Sequence, residues 1–360
     1  MQLRIPGPTP CPPQILQAMG RQMMNHRGPE FADLLKSITD RLRKVFQTTG
    51  DVLLLTASGS GGMESAIVNT LSPGDKVLSI CNGFFGERFG DIAVAYGAHV
   101  LRLGSEWGKP VDTDAVVREL EADKDIRAVL MVHNETSTGM TNDLAQISSV
   151  TRRFDKLLLV DAISSMGCVD VPVDEWQCDV AVTGSQKGWM VPPGLAMVSI
   201  SERAWQAHAR AKMPRCYLDF SLARDALARG QTPWTPAISV CYALDTALDL
   251  MLREGLDSVF RRHARLGRKT RDGIKALGLS LFPDERYASD TVTAVSDSGG
   301  VDIPKLMRIL REQHEVIVAG GMGRLSGKIF RIGHLGYVND EDIELFLQAL
   351  ERALPQARNP

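Results

Sequence analysis

The sequence has no apolar run approaching the roughly 18 residues of a membrane span, which excludes a transmembrane helix by pattern. It has no Lys/Arg block. Its 41 basic and 43 acidic residues leave a net charge of −2, so nothing in the charge pattern points to nucleic acid or an anionic surface. No two of its six cysteines (Cys11, Cys81, Cys168, Cys178, Cys216 and Cys241) stand at CxxC spacing. Metal ligation therefore has no support from spacing, no metal is expected, and the thiols read as reduced and partly buried. The opening "MQLRIPGPTPCPP" breaks into prolines where a signal peptide needs an apolar core, and a cytoplasmic location is expected. Both G-x-x-x-x-G-K-[ST] and G-x-G-x-x-G are missing, so a P-loop and a dinucleotide fingerprint are not offered. There are no internal repeats and no low-complexity tract.

What is present is an alternation of short apolar runs with amphipathic stretches. Strands are expected at Val52–Thr56, Lys76–Ile80, His99–Leu103, Ala128–His133, Lys156–Ala162, Asp179–Gly184 and Ala196–Ile200. Several are nearly continuous Val/Leu/Ile runs, the signature of strands buried on both faces in a mostly parallel sheet. Helical patterns such as Pro29–Phe46 and Thr113–Ala122 lie between them, giving a βαβ rhythm and an α/β class. The rhythm changes after about residue 235. A long helix over Ser239–Gly255, a second helical stretch, and short strands at Thr291–Val295, Val316–Val318 and Ile329–Ile332 suggest a smaller α+β domain. The expected division is an N-terminal segment 1–20, a large α/β domain 21–254 and a small domain 255–360.

Three stretches carry chemistry. In "TASGSGGMESA" small residues follow a strand and open a helix, so bare N–H groups at a helix N-terminus can bind one phosphate; an ordinary glycine-rich turn would look the same. In "LLLVDAISS" Asp161 ends the most apolar strand, where open α/β sheets bind ligands; it could equally cap the next helix. In "VTGSQKGWMVPPG" Lys187 lies just beyond a strand end, hemmed in by Gly, Ser and Pro. A desolvated lysine deprotonates readily and forms Schiff bases. Phosphate cradle, strand-end Asp and strand-end Lys, in this order, match the needs of pyridoxal phosphate.

These stretches, together with "PGPTPCPP", "NHRGPEF", "NGFFGER", "HNETSTG", "TPWTPAIS" and "FRIGHLG", resemble class V, fold-type I, pyridoxal-phosphate aminotransferases, in particular the alanine–glyoxylate and serine–glyoxylate (serine–pyruvate) branch. The resemblance covers nearly the whole chain. It implies a mostly parallel seven-stranded sheet with helices on both faces, a smaller C-terminal domain, and pyridoxal 5'-phosphate as cofactor. It implies Lys187 as the Schiff-base lysine and Asp161 as the partner of the pyridine nitrogen. Ser60, Gly61, Gly62 and Gln186 would hold the phosphate, Phe85 would stack on the ring, and Thr136 would bond near the ring's 3-oxygen. Thr235 and Thr232 would reach the phosphate of the neighbouring subunit of a homodimer with shared sites. Arg331 would clamp the substrate α-carboxylate, and the backbone at Gly7 would line the same pocket. His26, His133 and His334 would hydrogen-bond around the site.

The activity implied is a ping-pong transamination from a small L-amino acid, alanine or serine, to a 2-oxo acid such as glyoxylate or pyruvate. Other readings stay open within the fold. An aspartate or aminophosphonate donor would want a second cation, for which Arg27, Arg88 and Arg324 are the candidates. A cysteine desulfurase would want a mobile thiol, for which Cys216 is the candidate; but such enzymes carry His before the lysine and on the ring, where Gln186 and Phe85 stand here. A ligand-binding protein without chemistry would treat Lys187 and Asp161 as an ion pair.

Overall fold

The computed structural model describes residues 1–296 and 300–358. Its seven-stranded sheet is built from β1 (Asp51–Leu55), β2 (Lys76–Cys81), β3 (His99–Gly104), β4 (Ile126–Val132), β5 (Leu157–Asp161), β6 (Val180–Gly184) and β7 (Ala196–Ile200). The order across the sheet is β1-β7-β6-β5-β4-β2-β3. β2 to β6 run parallel, and β7 lies antiparallel to both β1 and β6. Every expected strand is found, with ends moved by a residue or two.

The apolar runs fold as they do because both faces are covered. Leu158 and Val160 of β5 enter the core on one side of the sheet, and Leu159 enters the core on the other. All three are essentially unexposed, and burying each contributes about 1.5–3 kcal/mol relative to leaving it in water. The helix Pro29–Phe46 covers one side and the helix Gly59–Thr70 the other. In-register pairing puts Val132 opposite Asp161, and Asp161 opposite Val182, so the candidate side chains gather at the C-terminal ends of β4, β5 and β6.

Gly255, in the left-handed region at φ 83°, separates the helices Ile238–Glu254 and Leu256–Ala276. The smaller C-terminal domain carries an antiparallel sheet in the order Ser280–Leu281, Val292–Ser296, Ile329–Gly333, Ala319–Gly320. The helices Ile303–His314 and Asp340–Ala357 close its core around Val295, Phe330, Ile332, Phe346 and Leu350. One expected strand joins elsewhere: Val316–Ile317 pairs in parallel with Gln2–Leu3 at the N-terminus. The chain then crosses to the large sheet. Gly333 N–H donates to Arg4 O, and Thr9 N–H donates to Gln186 O. Among the described residues no helix is long and apolar enough to cross a membrane.

Candidate active site

Lys187 lies in a turn held from several directions. Beyond β6, Ser185 Oγ donates to Pro192 O (2.7 Å) and accepts from Leu195 N–H (3.2 Å). Trp189 is fully buried, donates Nε1–H to Thr183 Oγ1 (3.0 Å) and stacks on Phe46. Gly188 permits the close approach, since a Cβ there would lie 2.5 Å from Cys168 Sγ. The lysine backbone is thus fixed while its stem reaches inward, and Nζ donates to Pro6 O at 2.6 Å. Burial, and then the nearby Arg331 charge, push the Lys187 amine down to about 8, so on the order of a tenth of it is neutral at pH 7, far more than for an ordinary lysine.

Asp161 ends β5 and is 4% exposed. Its carboxylate accepts one hydrogen bond, from Ile163 N–H (2.8 Å), and no cation contacts it among the described residues. Burial, helped by the Glu135 charge, pushes it up to about 7, while the Ile163 N–H bond and then Lys187 and Arg88 pull it down. A buried carboxylate left this short of donors is waiting for one.

The helix Gly59–Thr70 starts beside it. Its N-cap, Ser58, makes no side-chain cap. The N–H of Gly62 bonds Ser58 O, leaving those of Gly59, Ser60 and Gly61 without partners among the described residues. A Cβ on Gly62 would lie 2.4 Å from Val182 Cγ1, and one on Gly59 would lie 2.5 Å from Ile163 Cδ1, so only glycine lets this terminus sit so low on the sheet. Gln186 lies alongside: its Oε1 is buried with no partner and stands 2.9 Å from where a Gly184 Cβ would be. Three free N–H groups and an orphaned amide make a cradle for one phosphate.

Thr136 is buried and donates to Ser164 Oγ (2.8 Å). Its carbonyl accepts from Arg331 Nη1 (3.1 Å), while Arg331 Nε donates to Gly320 O (2.9 Å). Arg331 is 6% exposed, has no carboxylate partner among the described residues, and is lowered to about 10 by burial. Two carbonyls orient the guanidinium and leave Nη2 free for an anion. Gly7 stands against the lysine: a Cβ there would lie 2.7 Å from Lys187 Cδ and Nζ. Lys187, Asp161, Gln186, the cradle, Thr136, Arg331 and Gly7 are thus gathered at one end of the sheet.

Phe85 is the second residue of the helix Phe84–Ala95, which starts at the same end of the sheet. The residue that sequence reading passed over is Glu135, fully buried in "HNETSTG". Its Oε2 accepts from Phe85 N–H (3.1 Å) and Gly86 N–H (3.0 Å), and its Oε1 from Ser137 N–H (3.0 Å) and Ser137 Oγ (2.5 Å). Burial pushes it up and these bonds oppose that. A lone acid in a Ser/Thr run straight after a buried strand was the available signal.

The remaining candidates lie apart or are engaged. Thr232 Oγ1 donates within its own loop to Trp234 O (2.7 Å), whereas Thr235 is exposed and its hydroxyl has no partner among the described residues. His133 bonds Ser165 Oγ and His334 bonds Thr293 Oγ1, but His26 has no hydrogen bond among the described residues. Arg27 is held by Thr232 O and Pro233 O, Arg324 lies over the Trp107 ring, and Arg88 lies over Phe84 and Phe85. A cavity of ≈ 440 Å³ opens beside the cradle, lined by Gly61, Glu64, Tyr96, Cys216 and Tyr217; neither Lys187 nor Asp161 lines it.

A family model, aminotransferase class-V, matches residues 3–346. The chain belongs to that family. It is 44% identical over 357 residues to a protein named soluble hydrogenase 42 kDa subunit from Anabaena cylindrica, covering 98% of this chain and 93% of that one. It is 37% identical to a serine–glyoxylate aminotransferase of Methylorubrum extorquens, covering 94% and 87%. The crystal structure of an alanine–glyoxylate aminotransferase from Nostoc sp. superposes with a TM-score of 0.94 at 34% identity, covering 98% of this chain and 95% of that one. The fold is therefore fold-type I and the chain is an aminotransferase of a pyridoxal-phosphate-dependent class. Its own residues fit that cofactor: an anion cradle with three free N–H groups, a donor-starved Asp161, and a Lys187 amine shifted towards neutrality. The desulfurase alternative is not favoured, and burial pushes the Cys168, Cys178 and Cys241 thiols up to about 12.

Proposed function

We propose that this aminotransferase binds pyridoxal 5'-phosphate and moves the amino group of a small L-amino acid, alanine or serine, to a 2-oxo acid such as glyoxylate or pyruvate. The observation that carries the reading is a half-buried lysine amine close to a buried guanidinium whose charge it feels, neither with a carboxylate partner among the described residues. Such a pair offers an amine to a carbonyl and a fork to a carboxylate, which together describe an amino acid and its oxo acid.

When bound, pyridoxal phosphate supplies an aldehyde for the amine and a ring that accepts the electron pair released at the substrate Cα. The protein's residues then have separable tasks. The N–H groups of Gly59, Ser60 and Gly61, with Gln186, take the phosphate. The Phe85 ring would stack on the cofactor, and Thr136 would bond near its 3-oxygen. Asp161 holds the proton on the ring nitrogen, and that proton is the donor its carboxylate lacks. Arg331 takes the α-carboxylate, and the backbone at Gly7 forms the wall on the Lys187 side. Lys187 Nζ takes the proton from Cα, and its depressed pKa lets it act as a base near neutral pH.

A homodimer is part of this reading. Tyr217 and Trp234 stack together 49% and 37% exposed, next to the exposed Thr235, as expected of a loop that a second copy covers. Thr235, with Thr232 shaping the loop, would then reach the neighbour's phosphate. The six unpaired thiols support a cytoplasmic location.

The test is an absorbance spectrum of the purified protein loaded with pyridoxal phosphate, before and after L-alanine or L-serine. A visible band that moves to shorter wavelength, and returns on adding glyoxylate or pyruvate, supports the reading. A band that answers only to L-aspartate moves the donor to a dicarboxylate. Absence of any band after loading would sink Lys187 as the Schiff-base residue.

A further inference from the structure

Two helices start at the same end of the sheet, and their first turns differ. Among the described residues the helix Gly59–Thr70 leaves its first three N–H groups free. The helix Phe84–Ala95 has its first three taken by another part of the chain. Phe84 N–H donates to Ser137 Oγ (2.9 Å), the Ser137 hydroxyl donates to Glu135 Oε1 (2.5 Å), and Phe85 and Gly86 N–H donate to Glu135 Oε2. The N-cap residue of this helix, Gly83, has no side chain to do so. A Cβ on Gly83 would lie 2.2 Å from Glu135 Cγ, and one on Gly86 would lie 2.5 Å from Ile80 O. Glycines on either side of Phe84-Phe85 therefore let the backbone drop onto the carboxylate and onto the end of β2. A buried carboxylate at a helix N-terminus also meets the favourable end of the helix dipole, which offsets part of its burial cost.

We propose that Glu135 is a positioning residue: its carboxylate, relayed in part through the Ser137 hydroxyl, fixes the first turn of the helix Phe84–Ala95 and so sets the plane of the Phe85 ring against which the ring of a pyridoxal-class ligand stacks. The inference rests on the proposed cofactor reading, in which Phe85 is the stacking residue. Glu135 touches neither the cradle nor Lys187 in this role. Its proposed effect runs through Phe85 to ring binding and not to phosphate binding; its charge also raises Asp161, so the Phe85→Ala background is what isolates the positioning role.

The experiment uses the full chain freed of cofactor and two probes. One is 4-deoxypyridoxine 5'-phosphate, which has the ring and phosphate but no aldehyde and so forms no bond to Lys187. The other is inorganic phosphate, which reads the cradle alone. Glu135→Gln turns one of the two acceptor oxygens into an amide N–H that faces donors, either at Ser137 or at Phe85 and Gly86, and the first turn loses part of its hold. The expected result is about tenfold weaker binding of the ring-bearing probe, the scale of a lost aromatic contact, with phosphate affinity unchanged. Phe85→Ala weakens the same probe by a similar factor, and adding Glu135→Gln to it costs nothing further, because the two act as one unit. Ser137→Ala, which breaks the relay and keeps the acid, gives a smaller loss of about threefold and serves if Glu135→Gln does not fold.

The proposal is overturned if both probes weaken together in Glu135→Gln, or if its loss is as large in the Phe85→Ala background as in the native one. Either result makes Glu135 a general structural residue. If the unaltered chain binds phosphate but not the ring-bearing probe, the cofactor reading fails and this inference falls with it.

Discussion

The central sheet buries one aspartate at each of its two ends. Asp179 precedes β6 and is 2% exposed; Asp161 ends β5 and is 4% exposed. Both stand among apolar strands, and burial pushes both carboxyls up. Their partners differ. Asp179 accepts from Leu158 N–H, Ser201 Oγ and Arg203 Nη1, at 2.9, 2.9 and 3.1 Å. Asp161, among the described residues, accepts from Ile163 N–H alone. Asp179 has been supplied by its own fold and stitches β5, β6 and the helix Glu202–His208 together. Asp161 has been left one strong donor short, at the end of the sheet where loops can open a pocket. Burial without satisfaction, and not burial itself, marks the site.

That contrast can be broken by substitution, and the largest effect belongs to the lysine on the Asp161 side. Lys187→Ala is expected to cut transamination on the order of 10⁴-fold, while the thermal midpoint stays or rises because a desolvated amine has gone. Steady-state rates and a melting curve check it. Asp161→Asn should cost on the order of 10²–10³-fold in kcat with little change in unfolding, since the group makes few native contacts. Asp179→Ala should do the reverse. It removes the acceptor of a buried, cation-assisted network, so urea unfolding should show a loss of about 3 kcal/mol while the folded fraction keeps its KM. If Asp161→Asn unfolds the protein and Asp179→Ala silences it, the comparison is wrong.

Arg331→Lys sharpens the same point with a smaller effect. A lysine cannot satisfy Gly320 O and Thr136 O and still offer a fork, so KM for the oxo acid should rise about tenfold or more with kcat less affected. The smallest effect is on pH. Because burial depresses the Lys187 amine to about 8, the neutral, reactive form dominates above that value and falls away below it. Condensation of the cofactor-free chain with pyridoxal phosphate should therefore rise through a midpoint near 8, measured by stopped-flow absorbance. A midpoint at lysine's ordinary value, about 10.4, would show that the pocket does not desolvate the amine.

The strands were legible because β4, β5 and β6 are unbroken apolar runs, and a chain segment that must be buried on both faces has little choice of pattern. Lys187, Asp161 and the Ser58–Gly62 turn were legible for a related reason: each lies within two or three residues of a strand end, so local sequence already places it. Glu135 was not, because its function comes from the N–H groups of Phe84, Phe85 and Gly86, which lie some fifty residues earlier. Nor was the pairing of Val316–Ile317 with Gln2–Leu3, which two-residue strands cannot announce.

The sequence by itself determined the layered α/β scaffold and which residue types stand at its strand ends, since periodicity and turn chemistry act over a few residues. Only the tertiary structure decided that Arg331, on the sheet of the smaller domain, is oriented by Thr136 O and Gly320 O with no carboxylate in contact among the described residues. It alone decided that Pro6 O meets Lys187 Nζ and that Asp161 goes without the donors that Asp179 receives. Whether a buried charge is paired depends on which distant segments are packed beside it, and long-range packing is a property of the whole fold.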